Sequence, residues 1–308
     1  MSLHLSPVTP IIGAEVFGVD LREPLDAAAV DQLERALQRW KVLFFRDQEL
    51  TAEQFVRFGR CFGQLTPGHA FVDSLPEHPE IFTRSADDYR ERQRKGPALA
   101  DPVVRDCKGW HIDNTFLTSP NKFTILHGTK IPSIGGDTLW TDLAAAYEGL
   151  SPPMRKLLDS LEAVHSASGG DYIGSKAGIQ LRYMSLHPLI RVHPVTGERI
   201  LFLNPGVITR IAGLTDSESN AILDMLFEEI TRPAYHVRFR WSPNALALWD
   251  NRSTAHVGPV GYWLFEEPRD VRRLTVAGDR PQGPTGFLSY PLDGSAENAV
   301  ESHNSPKS

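Results

Sequence analysis

Short apolar segments that end near Gly, Pro, Asn or Asp recur along the chain and limit the folds open to it. They are five to eight residues long and rich in β-branched and aromatic residues, which is typical of strands. A series of this kind predicts a mainly β fold, either a sandwich or a barrel, with peripheral helices. The segments most typical of strands are residues 41–48, 123–127, 187–193, 199–203, 235–241, 245–249 and 271–277.

Four other segments have the capping chemistry and the apolar spacing of helices. Residues 26–40 place apolar side chains at helical spacing behind Asp26, a candidate N-cap. A capping box, TAEQ at 51–54, begins a second helix, and another, TDSE at 215–218, begins a fourth. Between them, Ser151 followed by proline begins a third. We expect these helices to pack on the outside of a sheet.

The chain divides into one domain and a tail. Hydrophobic residues make up 41% and charged residues 23% of its 308 residues, which are ordinary values for a globular protein. Residues 1–282 are predicted to form a single domain. Within it, residues 84–109 are charged, rich in Pro and Gly and without core periodicity, so they are predicted to be a loop beside the active site. Residues 283–308 are predicted to be a polar tail that frays or lies loosely on the surface.

The net charge of the chain limits its possible partners, and its cysteine content indicates its cellular compartment. A formal net charge of −6 argues against a broad phosphate-binding surface, so nucleic acid is not expected as a partner. No stretch approaches the length of apolar sequence that a membrane span needs, and the N-terminal residues lack the pattern of a signal peptide. Two cysteines are too few for a disulfide scaffold, which is typical of proteins in oxidising compartments. We therefore expect a cytoplasmic protein.

Candidate metal ligands lie in two distant segments. In GWHIDNTF (109–116), His111 and Asp113 would point the same way if the segment were a strand. A single His-x-Asp match carries little weight in a chain with eleven histidines, and His256, after the strand at 245–249, is the candidate third ligand. Two imidazoles and one carboxylate suit Fe(II) with open positions, although zinc accepts the same ligands. A buried structural histidine is the simpler alternative for His256.

Two further segments carry groups that could bind an anion. Extended geometry places Arg269 and Arg273 on one face of the strand near 271–277 and Arg272 on the other. A guanidinium in a cavity can hold a carboxylate through two parallel hydrogen bonds, whereas an exposed cluster would only aid solubility. After the Gly135–Gly136 turn, Thr138 begins a strand with a hydroxyl that could bond an anion.

In chain order, WHIDNTF, GGDTLW, WDNRSTAH and RRLTVAGDRP together resemble the taurine dioxygenase family of Fe(II)- and 2-oxoglutarate-dependent oxygenases. The resemblance covers residues 5–282 approximately, and it implies a double-stranded β-helix, or jelly roll, with iron at one open end. It implies that His111, Asp113 and His256 bind the iron. It implies that Thr138 and Arg269 bind the distal carboxylate of 2-oxoglutarate, which is consumed together with O2. It also allows a homo-oligomer, a dimer or a tetramer.

The resemblance implies that Arg273 faces a small anionic substrate: a sulfonate, an alkyl sulfate, an aryloxy-carboxylate or an amino-acid-like acid. Sulfonate-specific members commonly have a histidine after the FG-x-L turn and an asparagine four residues before the first ligand. This chain has Thr66 and Cys107 there, which weakens the case for taurine itself. His69 is the candidate replacement for the missing histidine.

Three alternatives stay open from the residues alone. A zinc-dependent hydrolase could use the same three ligands but gives no reason for Thr138 and Arg269, and it would turn over without oxygen. A non-catalytic jelly-roll binding protein would be expected to lose a ligand. A second histidine–carboxylate pair, His78 and Glu80, lies outside the matching segments and is interpreted as structural.

Overall fold

Strands dominate the computed structural model of the chain, which describes residues 3–68, 74–85, 109–168, 182–260 and 267–293. The mainly β class predicted from the sequence is confirmed. His69, Cys107, most of the predicted loop at 84–109 and the last part of the predicted tail lie outside the described residues. Within the described residues, no helix is both long and apolar enough to span a membrane.

The described strands, β1 to β17 in chain order, span His4–Pro7, Ala14–Phe17, Val42–Phe45, Ser74–Leu75, His78–Arg84, Phe123–Lys130, Asp137–Asp142, Glu162–Ser168, Arg182–Pro188, Ile190–Val192, Arg199–Leu201, Ile208–Ile211, His236–Phe239, Ala245–Asp250, Thr254–Val260, Asp270–Val276 and Tyr290–Pro291. The described helices, α1 to α5, span Ala27–Trp40, Ala52–Arg60, Leu143–Glu148, Pro152–Leu158 and Asp216–Ile230.

Two sheets carry the parts of the chain that matter for the site. The larger runs β1-β2-β3-β14-β6-β16-β5-β4, and the smaller runs β13-β7-β15. The central strand β14 pairs with β3 on one side and β6 on the other, and all of its residues are buried, as an unbroken apolar run predicts. Two more sheets, β12-β8-β9-β17 and β10-β11, lie elsewhere in the described residues.

The two functional sheets pack face to face through aromatic side chains. Phe44 of β3 lies edge-on to Trp140 of β7, with ring centroids 5.5 Å apart, and Trp140 also meets Trp249 of β14 at 5.5 Å. Side chains opposite each other in an antiparallel pair share a face, so the register fixes which residues point inward. Trp249 of β14, Thr124 of β6 and Thr275 of β16 form one such inward row.

Helices cover the outer faces of both sheets, as predicted. Helices α1 and α2 bury Leu33 and Phe55 against the outer face of the large sheet, and α5 belongs to the apolar cluster beside the small one. The predicted caps are present: Asp26 accepts from the backbone N–H of Ala29, and Thr51 closes a capping box. These caps are local contacts, and that is why the sequence predicts them well.

Several boundaries differ from the prediction. The run at 187–193 is divided between β9 and β10 at Leu189, where pairing changes from β8 to β11. The N–H of Leu189 bonds to Leu161 O at 2.8 Å, and its carbonyl oxygen accepts from the N–H of Phe202 at 2.9 Å. Helix α3 was not predicted. The expectation that the chain frays from about Gly283 is wrong for residues 283–293, where β17 pairs with β9 and Ser289 is fully buried. The domain boundary at 282 stays a prediction.

Candidate metal centre

The predicted ligand pair is brought to its partner by a single β-bridge. The backbone N–H of His111 bonds to His256 O at 2.9 Å, and the N–H of His256 bonds to His111 O at 2.8 Å. The chain then leaves the extended conformation, and Asn114 has a φ of 55° in the turn that follows. His111 and Asp113 therefore do point to one place, but through a bridge and a turn instead of a regular strand.

His111, Asp113 and His256 converge on one point. Each offers a ligand atom, and these atoms all lie within 4.8 Å of one another. The rings of His111 and His256 have centroids 4.1 Å apart, and His111 Nε2 lies 4.0 Å from Asp113 Oδ1. The Asp113 side chain is 4% exposed, whereas that of His111 is 38% exposed, so the cluster opens on the His111 side. Three ligands with one open side match a facial metal set.

Both imidazoles can present a ring nitrogen to a metal. His111 Nδ1 lies 3.1 Å from Gly109 O, and because a carbonyl can only accept, this contact places a proton on Nδ1 and leaves Nε2 as the candidate ligand atom. Burial, followed by the neighbouring His111, lowers the pKa of His256 to about 3, against the opposing effect of Asp113. Its buried Nδ1 has no hydrogen-bond partner among the described residues. The donor set therefore fits a divalent metal ion.

Asp113 is held as a carboxylate by its neighbours. Burial alone would raise its pKa, but the charge of Arg273, followed by those of the two histidines, holds the pKa well below the usual range. Arg273 Nη1 donates to Oδ1 at 3.0 Å, and the Thr124 hydroxyl donates to Oδ2 at 2.7 Å. The group is charged at any pH at which the protein would work.

The residues predicted to bind 2-oxoglutarate lie on the same side of the sandwich. Thr138 and Arg269 are each only 3% exposed. Trp241 Nε1 donates to the Thr138 hydroxyl oxygen at 3.0 Å, which leaves the hydroxyl hydrogen free to donate to an anion. Gly136, with a φ of 76°, packs against Arg269, and an added Cβ would lie 3.2 Å from its Nε. At Gly258 an added Cβ would lie 2.9 Å from the Thr138 hydroxyl oxygen.

Two arginines of β16, Arg272 and Arg273, point to opposite faces as the alternation predicts. Arg272 points outward, where its Nη2 donates to Leu50 O at 2.8 Å. Arg273 points inward to Asp113 and stacks over the ring of Phe82. Its Nε and Nη2 are buried and have no hydrogen-bond partner among the described residues. Arg273 therefore has donors left for a further acceptor.

Other sequence candidates lie outside this cluster. His78 Nε2 lies 3.4 Å from Glu53, and Glu80 accepts from Arg60 at 2.8 Å, so this pair serves α2 as the structural interpretation expected. The Thr66 hydroxyl bonds to Thr275, so it does not stand in for the histidine of sulfonate-specific members. Three aromatic side chains close in sequence to the ligands are buried, namely Trp110, Phe116 and Trp249.

Sequence reasoning missed the side chains that hold the ligand segment. Asn204 Nδ2 donates to Ile112 O and to the Thr115 hydroxyl, both at 2.7 Å, and so fixes the turn around Asp113. Thr124 was treated only as part of a strand. The sequence signals were a threonine inside the apolar run FTILH and an asparagine inside LFLNPG, but neither indicates a partner.

Comparison with known proteins places the chain among dioxygenases. The family model described as "Taurine catabolism dioxygenase TauD, TfdA family" matches residues 4–275. An alpha-ketoglutarate-dependent sulfate ester dioxygenase of Pseudomonas putida is 35% identical, over 94% of each chain. An alkylsulfatase of Acinetobacter baylyi is 34% identical, over 96% of this chain and 92% of its own. A solved taurine dioxygenase from Burkholderia xenovorans is 41% identical, with a TM-score of 0.84 over 97% of this chain and 98% of its own.

Proposed function

The chain belongs to the TauD/TfdA family of dioxygenases, and from this we propose that it uses Fe(II) and 2-oxoglutarate to hydroxylate a small anionic substrate. We propose further that its two packed sheets form the jelly roll implied by the sequence resemblance. The observation that carries the proposal is the convergence of His111, Asp113 and His256 within 4.8 Å, with one open side.

The three ligands would hold the metal and leave positions for small molecules. When bound, ferrous iron with 2-oxoglutarate and O2 supplies an oxidative decarboxylation that yields succinate, carbon dioxide and a hydroxylated substrate. No protein side chain has to act as an acid or a base in that reaction. The task of the chain is to bind the reactants, orient one C–H bond and exclude water.

Thr138 and Arg269 would bind the distal carboxylate of 2-oxoglutarate. Both are almost fully buried, and the Thr138 hydroxyl can donate while it accepts from Trp241. A guanidinium and a hydroxyl together offer the donors that a carboxylate accepts in a site shielded from water. Gly136 and Gly258 keep the space beside these two side chains clear.

Arg273 would bind the anionic group of the primary substrate. Its unused Nε and Nη2 donors favour a tetrahedral or planar oxyanion over a neutral group. The P. putida and A. baylyi relatives are named for sulfate esters. Among the small anions we therefore propose an alkyl sulfate ester as the substrate class. Hydroxylation of the carbon that bears the sulfate oxygen would give an unstable product that collapses to an aldehyde and free sulfate.

The test is a measurement of succinate formation with Fe(II), 2-oxoglutarate and O2 in the presence of alkyl sulfates, alkyl sulfonates or the parent alcohols. We expect alkyl sulfates to stimulate turnover and alcohols to have no effect. Arg273→Lys should lower the stimulated kcat/KM about tenfold or more, because lysine cannot replace a forked donor. Arg272→Lys, on the opposite face of the same strand, is the matched control and should keep the response.

Two results would contradict the proposal. Stimulation by neutral alcohols alone would remove the role of Arg273 as an anion site. Release of sulfate in the absence of oxygen and 2-oxoglutarate would favour the zinc-dependent hydrolase, since hydrolysis consumes neither.

A further inference from the structure

A line of buried hydrogen bonds runs from the core to the oxygen of Asp113 that faces away from the other ligands. Trp249 Nε1 donates to Asn251 Oδ1 at 3.0 Å, and Asn251 Nδ2 donates to the Thr124 hydroxyl oxygen at 2.8 Å. The Thr124 hydroxyl in turn donates to Asp113 Oδ2 at 2.7 Å. None of these four residues is more than 4% exposed. We call this series the Trp249–Asp113 relay.

The direction of the relay is fixed by chemistry at its first member. An indole N–H can only donate, so the Asn251 atom that faces it must be the carbonyl oxygen. The amide nitrogen of Asn251 is thereby turned to Thr124, whose hydroxyl oxygen must accept. The one hydrogen of that hydroxyl is then left for Asp113 Oδ2. The orientation of each group therefore determines that of the next. If the Thr124 hydroxyl turned away from the carboxylate, Asn251 Nδ2 would lose its acceptor.

The two oxygens of Asp113 consequently have different surroundings. Oδ2 lies against the Thr124 hydroxyl, whereas Oδ1 faces His111 Nε2 at 4.0 Å and accepts from Arg273 at 3.0 Å. Each oxygen is therefore held by a donor of its own, and loss of the Thr124 hydroxyl would leave Oδ2 without this buried donor.

We infer that Thr124, oriented by Asn251 and Trp249, is a positioning residue that fixes the orientation of the Asp113 carboxylate in the metal site. This inference rests on the proposed metal site. Hydrogen-bond partners of ligating carboxylates generally tune metal affinity as well as orientation.

The chain offers a control for the purely structural role of a buried threonine. Thr141 of β7 is also fully buried, and its hydroxyl donates a single bond, to Ile230 O at 2.8 Å. It belongs to the same sandwich but bonds to no metal ligand. Replacing either threonine by valine removes one hydroxyl of the same kind from the core.

The experiment uses Co(II) as the probe on the full chain after metal removal, by titration and by visible absorption. Thr124→Val should weaken Co(II) binding by about 10-fold to 100-fold, in line with other lost partners of metal ligands. It should also change the d–d bands, because the Asp113 carboxylate would no longer be held in one orientation. Thr124→Ser should restore both properties, and Thr141→Val should match the wild type.

A second variant tests the inference independently, in case the Thr124→Val protein does not fold. Asn251→Ala leaves the Thr124 hydroxyl in place but frees its direction, so it should shift the Co(II) spectrum the same way by a smaller amount. Wild-type affinity and spectrum in Thr124→Val would overturn the inference and leave the proposed function intact. The same change in Thr141→Val would overturn it too. No Co(II) binding by the wild type would overturn both proposals.

Discussion

Two buried clusters in this protein are built from the same three residue types. The open cluster is Asp113 with His111, His256 and Arg273, and the closed cluster is Asp250 with His193 and Arg252. In both, the pKa of the aspartate lies below its usual range, because nearby positive charge outweighs the effect of burial. The residue types and the burial of the aspartate therefore do not distinguish the two.

In the closed cluster no buried side-chain nitrogen or oxygen lacks a hydrogen-bond partner among the described residues. Asp250 Oδ1 accepts from the backbone N–H and the Nε of Arg252, at 2.8 and 2.9 Å. Oδ2 accepts from Arg252 Nη2 at 2.7 Å and from His193 Nε2 at 3.1 Å. His193 Nδ1 accepts from the N–H groups of Val195 and Thr196. The cluster joins segments that are distant in the sequence.

The open cluster keeps unused capacity. His256 Nδ1 and two nitrogens of Arg273 are buried and have no hydrogen-bond partner in the part of the chain that the structure describes. Buried polar atoms are rarely left in this state unless a ligand or an ion completes them. The structural cluster and the functional cluster differ here in whether their buried nitrogens have hydrogen-bond partners. That property belongs to the folded chain and is invisible in the residue list.

The largest expected contrast is in stability. Asp250→Ala should lower the free energy of unfolding by about 3–5 kcal/mol, because it strands Arg252 and His193 in the core. Asp113→Ala should cost only about 1–2 kcal/mol, since it removes two hydrogen bonds in a cluster that is open on the side of His111. Urea unfolding of chelator-treated protein measures both. Equal losses would mean that the two clusters have the same structural role.

The same two variants should show the opposite order of effects on metal binding. Asp113→Ala should bind no measurable Fe(II) or Co(II) and form no succinate. Asp250→Ala, at a temperature where it is folded, should retain the metal, since none of its lost bonds reaches the three ligands. Metal binding by Asp113→Ala with wild-type affinity would remove Asp113 from the ligand set.

Sequence reasoning predicted the parts of this protein that depend on neighbours in the chain. Helix caps such as Thr51 lie three residues from their partners, and strands such as β14 are buried on both faces, so local pattern identifies both. The division at Leu189 depends on Leu161, and the packing of Ser289 depends on His187, which accepts or donates a bond at 2.7 Å. Such contacts join distant segments, and alternation of residue types does not predict them.

The candidate site could also be predicted only in part from the sequence. A spacing of one residue placed His111 beside Asp113, the segment after the strand at 245–249 offered His256, and the family resemblance implied their roles. None of these could assign the donor to each oxygen of Asp113, because Thr124 comes from β6 and Asn251 from the turn after β14. The role of a side chain follows from its partners, and most of these partners are far away in sequence.

His127 and Arg272 form a third histidine–arginine pair, which differs from the two clusters because it has no carboxylate. His127 is fully buried, donates Nε2 to Gln48 O at 2.8 Å and lies 3.1 Å from Arg272, with no acid beside it. Burial, followed by Arg272, lowers its pKa from 6.5 to about 4. The unfolded chain therefore binds a proton in this range that the folded chain does not, and stability falls as the pH falls from 6.5 to about 4.

His127→Gln should reduce this acid sensitivity. A single group of this kind contributes a slope of at most about 1.4 kcal/mol per pH unit, and the variant should lose a large part of it near pH 5. Urea unfolding between pH 7 and pH 4.5 measures the slope, whatever the absolute stability of the variant. An unchanged slope would mean that His127 takes up its proton in the folded state as readily as in the unfolded one.

The smallest effect is expected at the exposed pair that has the right residue types but neither burial nor convergence. His78 faces Glu53, whose side chain is 74% exposed, and Glu80 faces Arg60, whose side chain is 64% exposed. Ion pairs in water contribute little, so His78→Ala should change the free energy of unfolding by less than about 1 kcal/mol. Co(II) affinity should stay the same, as it should in Glu80→Ala. A loss of metal in either variant would show that residue types can make a second site here without burial, and the contrast between open and closed clusters would no longer explain where this protein binds its metal.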